Sequence, residues 1–104
     1  MNPFELETGA THARLTLPEE VTVADAAALL ETLRAPVAAQ QPVAIDTGRL
    51  VRIDAAALQV VWAAARATRV AVEAPPDGAW EAALQRHGLT AEFQTILSPN
   101  PLSP

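Results

Sequence analysis

The tightest constraint on the fold is Val43-Ala44-Ile45, an apolar run with no polar alternate, set directly behind Pro42. A strand that is apolar on both faces needs cover on both sides, which points to an interior position in a largely parallel sheet. Its surroundings agree. Asp54 is a good helix N-cap, and the Ala-rich stretch Ala55 to Arg66 carries the strongest helix propensity in the chain. Leu58, Val61, Trp62 and Ala65 form its predicted buried stripe. Arg69 to Glu73 then places Val70 and Val72 around Ala71, a further strand.

Upstream, Phe4 to Glu7 and Ala13 to Leu17 read as two strands around the turn-like Thr8-Gly9-Ala10-Thr11. Thr22 and Asp25 have capping-box spacing, and Ala26, Leu29, Leu30, Leu33 and Val37 fall on one helical face behind them. Pro36 removes a helical hydrogen bond, so this helix is predicted to end or kink near Arg34. Downstream, Asp77 is predicted to cap a third helix with the apolar face Trp80, Ala83, Leu84 and His87. Gly88 and Leu89 supply a Schellman ending. A short helix from Ala91 to Leu97 follows, packing Phe93 and Leu97 onto the sheet. The order implies a small α/β sandwich, a mixed and mostly parallel sheet of about four or five strands with about three or four helices. Its first strand is antiparallel at an edge. Residues 1–97 form one domain, and 98–104 a Pro-rich flexible tail.

Composition narrows the function. With 104 residues the chain fits one domain, and with no Cys it has neither disulfides nor thiolate chemistry. All seven basic residues are Arg, so Schiff-base chemistry and a phosphate-loop lysine are excluded. The serines, Ser98 and Ser103, lie in the tail, away from any scaffold that would hold a nucleophile. A net charge of −5, scattered arginines and 4% aromatic residues do not make a nucleic-acid footprint. The apolar stretch Ala55 to Ala65 is shorter than the roughly 20 residues needed to span a bilayer. Glu5 and Glu7 interrupt any signal-peptide pattern, so a cytoplasmic location is expected. What remains is a docking module.

Val43 to Gln59 carries a resemblance to a known family. An apolar strand ends in Asp46, a short loop follows, and then Ile53, Asp54 and, four residues on, Leu58. This pattern resembles the STAS domain, a family that includes anti-sigma-factor antagonists and the cytoplasmic domains of sulfate transporters. Ala74-Pro75 before a helix and Gly88-Leu89 at its end are similar to later family landmarks, so the likeness runs from about Leu15 to Phe93. In regulated antagonists the residue after this Asp is a phosphorylatable Ser or Thr. Here it is Ala55, and Ala57 replaces the usual Gly. The resemblance therefore implies a non-enzymatic regulatory protein-binding module, anti-sigma-factor-antagonist-like, that is not phosphorylated at the family position. The implied partner is a histidine-kinase-like ATPase such as an anti-sigma kinase, or a chemotaxis component; Leu58-Gln59 resembles small STAS proteins linked with chemotaxis. The alternative is a STAS subunit of a lipid-transport ABC complex.

The strand C-terminal ends of an open α/β sheet form its usual binding crevice. That rim gathers Pro18 to Thr22, Gly48 to Asp54 with Ala55 and Ala56, and Ala74 to Gly78, with Glu19, Glu20, Arg49, Arg52, Asp54, Ala55, Ala56 and Asp77 as candidate protein-binding residues. Ala55 and Ala56 form an apolar floor, and the charges set register. The plainer roles are N-capping for Asp54 and Asp77, solvated charge for Arg49 and Arg52, and loop bonding for Asp46. His12 and His87 share no metal-ligand spacing. No catalytic residue, metal or cofactor is expected. Self-association through the second-helix face is a further expectation.

Overall fold

A computed structural model describes residues 2–98; the expected tail beyond Ser98 lies outside the described residues. The main sheet has the order β1-β2-β4-β6, formed by Glu5–Thr8, Ala13–Thr16, Val43–Asp46 and Val70–Glu73. β1 is antiparallel to β2 at the edge, and β2, β4 and β6 run parallel. A second sheet pairs two very short parallel strands, β3 (Glu20–Val21) and β5 (Arg52–Ile53). The helices are α1 (Ala26–Ala38), α2 (Ala55–Ala67), α3 (Ala79–Arg86) and α4 (Thr90–Ile96), with a 3-10 turn at Val23–Asp25 ahead of α1.

Strand periodicity sorts the two sheet faces. Ala13 and Leu15 are fully buried while Arg14 and Thr16 are half-buried. Val43 and Ile45 bury completely against the helices, with Leu29, Leu33, Leu58, Val61 and Phe93 in the same core. On the other face the register aligns Arg14 with Ala44 and Ala71, and Thr16 with Asp46 and Glu73. The Arg14 guanidinium crosses β4 to make paired hydrogen bonds to Glu73, 2.6 and 3.2 Å, and one to Asp46, 3.2 Å. Ala44 and Ala71 are buried as a separate small cluster on this face.

α1 departs from expectation. It continues through Pro36 to Ala38. Proline costs one N–H here, and its ring is buried, so packing offsets the loss. Two hydrogen bonds then close the helix, Gln40 N–H to Val37 O and Gln41 N–H to Pro36 O, with Gln40 at φ 52°. That is a Schellman ending with Gln at the left-handed position. Leu30, expected in the core, is 48% exposed, because α1 buries only Leu29, Leu33 and Pro36.

The predicted Schellman ending of α3 is present: Gly88 has φ 67°, Gly88 N–H bonds Gln85 O and Leu89 N–H bonds Leu84 O. His87, expected on the apolar face, is the exposed C-cap instead. Asp77 does not cap α3. Gly78 N–H bonds Pro75 O with Asp77 at φ 57°, so Pro76 and Asp77 are the corners of a turn resembling type II, and Gly78 takes the N-cap position. Phe93 is the buried residue of α4 and meets Trp62 and Trp80 edge to face, each at 5.5 Å.

Candidate functional site

The short β3–β5 pair organises the rim. Val51 N–H and Arg52 N–H both donate to Glu19 O, and Asp54 N–H donates to Val21 O. These bonds hold Glu19 and Glu20 beside Arg52 and deliver the chain to the start of α2. Val21 and Ile53 point into the core with no exposure, so the same two-residue ladder fixes both surface and interior.

Asp54 behaves differently from its predicted role. It occupies the N-cap position of α2 with extended backbone, but its carboxylate makes no capping bond to its own helix. Instead Oδ2 accepts from Val23 N–H at 3.2 Å, and Oδ1 lies 3.6 Å from Arg52 Nε. The carboxylate thus ties the 3-10 turn ahead of α1 to the start of α2. At that turn the predicted capping box is formed, with Thr22 N–H and the Thr22 hydroxyl both donating to Asp25 Oδ2. Asp46 takes the loop-bonding role: its Oδ1 accepts Gly48 N–H at 2.8 Å, while Oδ2 pairs with Arg14. Hydrogen bonding to Glu73 is the main cause that raises the pKa of Arg14, with Asp46 adding to it and desolvation opposing.

Glu19, Glu20, Arg49, Arg52, Asp54, Ala55 and Ala56 therefore fall on one end of the molecule, around β3, β5 and the first turn of α2. Glu19, Glu20 and Arg49 line a shallow depression with Pro18 and Val51. Ala55 and Ala56 are half-buried, whereas Ala57 is fully buried. Asp77 lies in the turn before α3, exposed and without an ion pair among the described residues. The predicted rim stretch includes Val51 without singling it out and leaves out Val23; each is 68% exposed, and the two bracket the β3–β5 pair. Periodicity gave no hint of them because both lie outside regular elements long enough to show a period. Among the described residues no group of His, Cys, Asp or Glu could hold a metal ion, and no helix is long and apolar enough to cross a membrane.

The family model described as "Mlab, STAS domain" matches residues 4–98. The chain belongs to the STAS-domain family. A sequence comparison with functionally curated proteins gives no match. Among solved structures, an anti-sigma factor antagonist from Mycobacterium paratuberculosis is similar over 93% of this chain and 85% of its own, with 19% identity and a TM-score of 0.70. The phosphorylated form of SpoIIAA, titled a Bacillus cell fate determinant, covers 91% of this chain and 88% of its own, at 15% identity and TM-score 0.62. A structure titled Mglu shares 24% identity over 68% of this chain with a TM-score of 0.59, and the match spans only 19% of that longer chain. These likenesses establish the fold. In this STAS domain Ala55, at the first position of α2, follows Asp54 where the family pattern described above has a hydroxyl residue.

Proposed function

We propose that this STAS domain is a non-enzymatic regulatory module that acts by docking onto another protein, anti-sigma-factor-antagonist-like, through the rim around the start of α2. The observation that carries this reading is the pair of 68% exposed valines, Val23 and Val51, flanking the Asp54–Ala55 junction. Isolated apolar side chains at a surface need no explanation, but here they border small, half-buried alanines and charges of both signs. An apolar floor with a charged rim is the anatomy of a protein interface. Arg49 and Arg52, with Glu19 and Glu20, set register, and Asp77 contributes from the neighbouring turn. The partner is a histidine-kinase-like ATPase or a chemotaxis component, and binding takes place in the cytoplasm.

Ala55 has no hydroxyl to accept a phosphoryl group, so binding at this rim is constitutive or is switched elsewhere. The same alanine favours a second reading. A permanently assembled subunit of a lipid-transport ABC complex needs no phosphorylation switch. Affinity capture from the source cell's lysate, wild type against Ala55→Glu, tests both. Glu is well tolerated in the first turn of a helix, so the variant changes the surface without unfolding the domain. Capture of a kinase-like regulator by wild type and its loss with Ala55→Glu supports the docking reading. An ATPase captured with a permease moves the assignment to the second. A partner retained equally by both proteins places the interface elsewhere.

A further inference from the structure

A groove of about 400 Å³ runs from Ala55 along α2 to the facing side of α4. Its floor is Leu58 and Phe93, both buried, and its walls include the half-buried Trp62 and Leu89. Glu92 is the one ionisable side chain lining it, and among the described residues that carboxylate has no ion pair. We propose that this groove receives an amphipathic helical segment of the docking partner, whose apolar side chains cover Leu58 and Phe93 and whose arginine meets Glu92 beside Trp62. The inference rests on the docking reading above, since Ala55 belongs both to the rim and to the groove.

Two features select this occupant. A groove between two helices accepts an amphipathic helix through side chains one and two turns apart, and the apolar floor supplies the matching surface. The exposed carboxylate of Glu92, in the same groove as the half-buried Trp62 indole, supplies the polar selection. Arg is the side chain that satisfies both, because its planar guanidinium forks onto a carboxylate while its face stacks on an aromatic ring. Trp62 is held for this by its edge-to-face contact with Phe93, at an interplanar angle of 74°.

The test is a 15N NMR titration of the full chain with two capped synthetic helices. Each carries leucines at i and i+4; one has arginine at i+7 and the other glutamate. The arginine helix is expected to shift the resonances of Ala55, Gln59, Glu92 and the Trp62 indole, and to bind about tenfold more tightly than the glutamate helix. In Glu92→Gln, whose unperturbed spectrum reports an intact fold, that preference should shrink to about twofold. Equal binding of the two helices, shifts confined to the α1–α2 side at Leu30 and Val60, or no shifts at all would overturn the proposal. So would concentration-dependent shifts of the same groove residues without peptide, which would make the occupant a second copy of the chain. Loss of capture by Ala55→Glu with no peptide binding leaves the docking reading standing and removes only the groove. Peptide binding at the groove with capture unaffected by Ala55→Glu overturns both, because the captured partner then docks away from Ala55.

Discussion

Arg14 ties three strands together with one side chain. Its paired bonds to Glu73 and single bond to Asp46 bridge β2, β4 and β6 on the face that the helices leave uncovered. All three groups are more than a third exposed or nearly so, 39% for Arg14 and 34% for each carboxylate, so solvent screens them. Arg14→Met is accordingly expected to lower stability by only about 0.5–1 kcal/mol in urea melts, with the loss smaller at high salt. Because the pairing raises the arginine's pKa, its contribution is fully present at neutral pH and is lost as pH rises through the raised value. Titration of Arg14 therefore leaves stability unchanged across the neutral range. Gly88 is a second single-residue determinant. Its φ of 67° suits glycine, and an added Cβ meets nothing within 4 Å. Gly88→Ala should thus cost about 1 kcal/mol through backbone strain alone, a fall of roughly 4–8 °C in the melting temperature for a domain of this size.

Elements that carry a long period were readable from the chain, and those defined by distant partners were not. Val43 to Ile45, the Ala-rich α2 and the Gly88-Leu89 ending are local signals, and each element lies where its residues predict. The β3–β5 pair has two residues per strand, too few to alternate, and its ladder joins segments separated by the whole of α1 and β4. Asp54 shows the same limit in one side chain. Its position before an Ala-rich helix marks the cap site correctly, yet the carboxylate is drawn to Val23 N–H, 31 residues away. Pro36 was misleading for a related reason, since a buried ring on the core side outweighs a single missing hydrogen bond. The Asp54 contact makes a specific prediction in hydrogen exchange. Asp54→Ala should speed exchange of the Val23 amide several-fold and cost about 1 kcal/mol. The Leu58 amide, bonded to the Asp54 backbone carbonyl at 3.2 Å, should keep its protection. Equal loss at both amides would mean that the carboxylate supports α2 directly.

At the scale of the molecule, the fold divides its labour between two ends of α2. The middle and far end bury Leu58, Val61, Ala64 and Ala65 in the core, while the near end emerges between the 3-10 turn and β5. Rim geometry is thereby fixed by core packing: Val21 and Ile53 anchor the same short strands that present Glu20 and Arg52, with Val51 directly ahead of β5. A rigid rim lowers the ordering cost of association, which favours binding through a small patch. The most direct test of this account is to measure the affinity of the captured partner for wild type, Ala55→Glu and Val51→Asp, with Leu30→Gln on the α1 surface as control. The account predicts that both rim variants weaken binding at least about tenfold while the control binds as wild type. Undiminished binding by the two rim variants, or loss only with Leu30→Gln, would contradict it and move the interface to the α1 side.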